Sequence, residues 1–317
     1  MSDVSDVSDV SGRMRLGFVL PQVGDMAGPE ALVEVAQRAE ALGFVSLWVA
    51  DRLLWPLDPR APYPASADGV LPAQFQSVLD PLVALTFVAA HTSQVRLGTS
   101  VLNIPYYNPV LLARQLTTLD VVSAGRLDVG LGLGWSPDEF EAAGAAMAGR
   151  GERADEFIEV LKAIWTTDPV EFDGTHFQVA RSIIGPKPIQ KPHPPLYLAA
   201  YAPAAMRRTA RVGDGWNPAG IPLAAMAAMH AGIQAMAREE GRDGVALVVR
   251  ANCHLTDSPC ARDRPMFVGS VDQVTGDVKA VEAIGAAEVL FDVQFSPGVR
   301  TTADVVDRME RLWAATR

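Results

Sequence analysis

VRLGTSVLNIPYYNPVLLARQLTTLDVVSAGRLDVGLGLGW, residues 95–135, is the stretch whose reading decides the fold. It opens with a short apolar strand that runs into a corner of small residues, Gly98-Thr99-Ser100-Val101-Leu102-Asn103. Asn108 then stands where a helix N-cap belongs, and Pro109 takes the first helical position, where a missing N–H costs nothing. Leu112, Leu116 and Leu119 recur at helical spacing before Ser123-Ala124-Gly125 stops the helix. A second strand follows over residues 127–131. Two strands joined by such a helix form a parallel βαβ unit, because parallel neighbours need a long crossover. The second strand ends in Gly130-Leu131-Gly132-Leu133-Gly134-Trp135, the densest glycine run in the chain.

Outward from this unit the chain alternates strand and helix almost without exception. Residues 16–20 form a strand ending at Pro21-Gln22, and Pro29 opens a helix with Leu32, Val35, Ala36, Ala39 and Leu42 on one face and Gly43 as C-cap. Residues 46–49 are the second strand, followed by Ala50-Asp51-Arg52. Residues 53–77, rich in proline and polar residues, are too long for an ordinary connector, and such loops usually act as lids or binding loops. Asp80-Pro81 starts the helix that leads to residue 91. Beyond Trp135 come helices near 138–144 and 152–166, a small hairpin over 171–179 and a proline-rich crossing, GPKPIQKPHPP, at 185–195. Strands at 196–200, 215–217, 246–254 and 288–292 then alternate with helices at 204–211, 222–240, 271–284 and 302–315. Alternation predicts a parallel sheet, and eight such units in about 300 residues favour a closed barrel over an open sheet. The expected fold is a (β/α)8 TIM barrel with insertions after strands 2, 4 and 7. Residues 15–317 form its single domain, behind a disordered tail at 1–14.

Composition narrows the function classes. A 317-residue chain that is 49% hydrophobic has the material for a large core. Its net charge of −10 argues against nucleic acid or an anionic membrane as partner. No run of about 18 apolar residues is present for a membrane span. Cys253 and Cys260 give neither a disulfide framework nor a zinc pattern, which fits a reduced, cytoplasmic setting. The repeated Ser-Asp-Val at the start lacks the basic and apolar parts of a signal peptide.

In such a barrel the site lies at the C-terminal ends of the strands. There the distinctive residues gather: Asp51, Ser100 to Asn103, Gly134-Trp135, Ala200-Tyr201, Trp216-Asn217 and His254. The run Gly130-x-Gly132-x-Gly134 fails as a dinucleotide fingerprint, because Trp135 stands where the last glycine belongs. Those glycines instead let a strand end pass close to something flat. Ala200-Tyr201-Ala202-Pro203 precedes a helix whose free backbone N–H groups form an anion site, to which Arg207 and Arg208 can add charge. Trp135 and Trp216 are flat apolar walls for a pocket. The five histidines show no metal-ligand spacing, and His254 alone is placed at the mouth. Neither a nucleophile elbow nor a phosphate-binding lysine loop occurs, which removes hydrolase and kinase readings.

The segments LGFVLPQ (16–22), ALGFVSLWVAD (41–51), LDPLVAL (79–85), the opening stretch and IQKPHPPLYLAAYAPAAMRRTARVGDGW (189–216) resemble the luciferase-like monooxygenase family. They are most similar to its subgroup dependent on the deazaflavin coenzyme F420. The resemblance runs in order from about residue 15 to 220. It implies a flavin or deazaflavin held over the strand ends and hydride transfer to or from a small organic substrate. F420 is the expected cofactor and FMN the alternative. The runner-up functions are an FMN-dependent monooxygenase and a non-catalytic flavin-binding protein. It also implies a homodimer formed through the alanine- and leucine-rich helices after the first strands.

Site residues carry over position by position. Ser100-Val101 matches a non-proline cis peptide behind the ring, and Asn103 a side chain at the ring's pyrimidine edge. Ala200, Tyr201 and Ala202 match the loop that holds the cofactor phosphate. Asp51, Gly134 and Asp138 complete the cofactor-binding set, and Asp51, Arg52 and Trp135 are the candidates for catalysis. At 51–52 the sequence departs from the family. F420-dependent relatives commonly carry Asp-His, with the histidine proposed as acid or base, whereas Arg52 stands here. Arginine holds its proton near neutral pH, so it can stabilise an anionic ring or bind an acidic substrate, or simply pair with Asp51 or a loop carboxylate.

Overall fold

The computed structural model describes residues 13–317 apart from residue 67. Most of the expected N-terminal tail, residues 1–12, lies outside the described residues. Eight parallel strands close into a barrel: β1 (Arg15–Val19), β2 (Ser46–Val49), β3 (Arg96–Thr99, resuming at Leu102–Asn103), β4 (Leu127–Gly132), β5 (Leu196–Leu198), β6 (Gly215–Trp216), β7 (Ala246–Asn252) and β8 (Ala286–Asp292). β1 lies between β2 and β8, which closes the ring. The expected (β/α)8 barrel is therefore what forms.

The helices are α1 (Pro29–Leu42), α2 (Pro81–Ala89), α3 (Pro109–Val122), α4 (Pro137–Ala142), α5 (Arg150–Thr166), α6 (Pro203–Val212), α7 (Leu223–Glu239), α8 (Val271–Ala283) and α9 (Thr302–Thr316). Their ends follow local chemistry. The Asn108 side chain accepts from the Val110 and Leu111 N–H groups, and Asp80 does the same for Leu82 and Val83. Gly43 ends α1 at φ 100, a left-handed conformation that other residues adopt only under strain.

Two apolar layers result. Val19, Trp48, Tyr197, Val248 and Leu290 fill the barrel interior, while a larger layer packs the strands against the helices. At the N-terminal end of the barrel, buried Glu288 pairs with Arg15 at 3.0 Å and accepts from the Ser46 hydroxyl. Long segments leave the C-terminal ends of β2, β4 and β7. The first, residues 50–80, folds back over the barrel mouth and contributes Trp55, Tyr63 and Phe75 to an aromatic cluster that includes Trp135 and Phe295.

Candidate active site

The break in β3 sets the geometry of the barrel mouth. The Ser100–Val101 peptide is cis, as expected. Across the break Thr99 replaces the missing ladder: its hydroxyl accepts from the Gly130 N–H and donates to the Gly130 carbonyl, both at 2.9 Å. Ser100 is pinned on two sides. Its hydroxyl donates to Asn217 Oδ1 at 2.7 Å, and its carbonyl accepts from Arg250, whose other arm pairs with Asp292. Asn217 in turn donates to the Val248 carbonyl at 2.8 Å.

This geometry corrects the reading of the glycine run. A Cβ on Gly130 would lie 1.8 Å from the Thr99 carbonyl oxygen, and one on Gly132 would lie 2.6 Å from Val101. The protein's own β3 corner demands these glycines, not a flat ligand. Gly134 differs: its φ is +66, and it turns the chain out of β4 toward α4.

Asp51 is buried under the mouth. Its Oδ2 accepts from the Asn103 N–H at 2.9 Å and from the Tyr107 hydroxyl at 3.2 Å, and its carbonyl takes the Asn103 amide at 3.2 Å. Burial pushes its carboxyl up to about 6, partly opposed by those two hydrogen bonds. Arg52 does not pair with Asp51 or with a loop carboxylate. Its Nη1 meets Glu139 of α4 at 3.2 Å, and both side chains are buried, at 6% and 0% exposure. Glu139 also accepts from the Leu53 N–H at 2.8 Å and from the Tyr106 hydroxyl at 2.8 Å. The guanidinium lies over the rings of Phe75 and Trp135, at 5.4 and 5.2 Å. Among the described residues its Nε and Nη2 have no hydrogen-bond partner.

On the β5 side, Ala202 caps α6 without a side-chain hydrogen bond, and Ala202, Pro203 and Ala204 are exposed. The first N–H groups of α6 are thus open to an anion. Trp216 donates to the Ala200 carbonyl at 2.8 Å, and the Tyr201 hydroxyl accepts from the Ala219 N–H at 3.1 Å, which fixes this loop.

Several expected residues sit elsewhere. Arg208 points away from the α6 N-terminus to Asp155 and the Gly151 carbonyl, because its place one turn into the helix faces α5. Trp216 is fully buried and stacks on His230, so it belongs to the core and not to a pocket wall. His254 does not end β7. The strand stops at Asn252, and His254–Leu255 pairs separately with Val268–Gly269. Asp138 gives both carboxylate oxygens to Arg60, through its backbone N–H at 3.1 Å and its Nε at 2.7 Å.

Glu139, Arg250 and Asp292 escaped the sequence reading. Arg250 did leave a signal, as a charged residue inside the apolar strand ALVVRAN. Glu139 left none, because a glutamate in the first turn of a helix is ordinarily solvated.

Residues 14–280 match the model of the luciferase-like monooxygenase family. A protein of Mycobacterium tuberculosis is 33% identical over 217 residues, covering 68% of this chain and 76% of its own length. An F420-dependent glucose-6-phosphate dehydrogenase of Amycolatopsis mediterranei is 33% identical over 193 residues, 60% of this chain and 53% of that enzyme. The crystal structure of a monooxygenase from Streptomyces bottropensis superposes with a TM-score of 0.79 at 23% identity, covering 95% of this chain and 98% of that one, a likeness of fold. Among the described residues no helix is long and apolar enough to cross a membrane. A broken third strand at the mouth of a closed parallel barrel and a family match over most of its length agree: the chain belongs to the luciferase-like monooxygenase family.

Proposed function

We propose that this protein is an oxidoreductase that binds coenzyme F420 and moves a hydride between it and a small organic substrate. The observation that carries this reading is the pairing, on one rim of the barrel, of the pinned Ser100–Val101 corner with the uncapped N-terminus of α6. A flat ring system that bears a phosphate needs both features: a rigid backbone surface for the ring and open N–H donors for the anion. The similarity to an F420-dependent dehydrogenase supports the deazaflavin over FMN.

Ser100, Val101, Asn103 and Gly134 would hold the ring, and Ala200, Tyr201 and Ala202 the phosphate. Asp138, already occupied by Arg60, would act by fixing the loop that carries Arg60. The cofactor supplies the hydride chemistry, and the chain supplies orientation, exclusion of water and electrostatics. With arginine at position 52, no proton moves through that side chain; its fixed charge stabilises negative charge on the ring or on the substrate. Asp51, which holds a proton into the weakly acidic range, positions Asn103 and Tyr107. Trp135 forms the apolar wall beside Arg52.

Titration of the purified protein with F420 and with FMN, followed by absorbance, tests the reading. F420 is expected to bind saturably at micromolar concentration, and a bulky residue at Gly134 to weaken it. Tighter binding of FMN would favour the monooxygenase reading. Binding of neither would end both readings, and binding without turnover of any acceptor would leave a carrier protein.

The acidic net charge and this small-ligand site support a cytoplasmic protein whose partners are neither nucleic acid nor membrane. A homodimer is proposed as well, because α2 and α3 together expose Val83, Phe87, Leu111 and Val122 on the outside of the barrel.

A further inference from the structure

Arg52 carries more donor capacity than its surroundings use. Its Nη1 is taken by Glu139, and that carboxylate is in turn occupied by Tyr106 and the Leu53 N–H. Nε and Nη2 form one edge of the planar group. They are shielded from solvent and have no hydrogen-bond partner among the described residues. The rings of Phe75 and Trp135 disperse the charge of a guanidinium lying over them, but a stacked ring does not accept in-plane N–H donors. Buried donors are normally satisfied, so an unused bidentate edge in a barrel mouth points to a ligand.

Two parallel N–H groups on one edge match the two oxygens of a carboxylate. Charge ranks that monoanion above a phosphate dianion, because Glu139 already pairs with Arg52 and each further negative charge buried beside the pair adds its own desolvation and repulsion cost. The surroundings are aromatic. The Tyr63 ring lies 5.6 Å from Trp135 and 6.0 Å from Phe75. Resting on the functional reading above, we infer that the substrate class is an apolar organic acid. Its carboxylate meets the Nε–Nη2 edge of Arg52, and its apolar body lies against Trp135, Phe75 and Tyr63. Tyr63 and Phe75 belong to the segment that folds over the mouth and packs with Trp135.

Calorimetric titration of the whole protein with benzoate, benzamide and inorganic phosphate, with and without F420, tests the inference. Benzoate should bind at one saturable site. Benzamide turns an amide donor toward a donor edge, so it should bind about tenfold or more weakly. Arg52→Lys keeps a charge opposite Glu139 but loses the fork, and should weaken benzoate by about tenfold while the circular dichroism spectrum stays that of the folded wild type. The inference fails if wild-type protein ignores benzoate under both conditions, if benzamide binds as well as benzoate, if phosphate displaces bound benzoate, or if Arg52→Lys binds benzoate like the wild type. F420 binding without benzoate binding overturns this inference alone. Benzoate binding without either cofactor overturns the functional reading and leaves the carboxylate site standing.

Discussion

Asp51 and Arg52 are neighbours in sequence, yet the fold gives them opposite tasks. Asp51 turns inward and spends its carboxylate on Asn103 and Tyr107, whereas Arg52 turns toward α4 and the aromatic cover. The environment of Asp51 makes stability depend on pH. Burial raises its carboxyl from 3.8 to about 6, so between those values the native state keeps a proton that the unfolded chain has released. Stability contributed by this group is full below about pH 4 and is lost as pH rises toward 6, by about 3 kcal/mol at most at ~1.4 kcal/mol per pH unit. Asp51→Asn should therefore gain on the wild type between pH 4 and 7 when melting temperatures are compared. Parallel pH profiles for the two proteins would show that Asp51 does not titrate in this window.

At the scale of elements, β3 and β4 show how one local irregularity dictates the next. The corner at Ser100–Val101 brings the Thr99 carbonyl onto β4, and only a residue without a side chain fits opposite it. Gly130→Ala should cost about 3 kcal/mol or more, since neither backbone can retreat from the other. Gly276 is the control. It sits within α8 with nothing near its missing Cβ, so Gly276→Ala should add up to about 1 kcal/mol through helix propensity. Urea denaturation of both variants decides the point. Equal stabilities would mean that the β3 corner yields more readily than its hydrogen bonds imply.

For the whole molecule, the outer faces of α2 and α3 carry exposed apolar residues on an acidic protein. Val83 is 69% exposed and Leu111 61%, although both helices bury their other faces against the barrel. If this face joins two copies, Val83→Glu with Leu111→Glu should convert a dimer to a monomer by light scattering while leaving the circular dichroism spectrum unchanged. A wild-type protein already monomeric at working concentration would refute the dimer. What the sequence alone determined is the barrel itself: the order of strands and helices and the caps at Asn108 and Gly43 follow from short-range rules of periodicity and capping, whereas the corner at Ser100 was legible only through the family resemblance. Tertiary structure alone decided which charges meet. Arg52 finds Glu139 across 87 positions, and Arg250 reaches Ser100 across 150, because closure of the barrel brings the ends of distant strands to one rim. Burial then decides what each charge does, and burial is a property of the packed whole. The same closure buried Trp216 in the core, and His254 joins a separate strand pair beyond the end of its barrel strand, since position along a strand does not fix which layer a side chain enters.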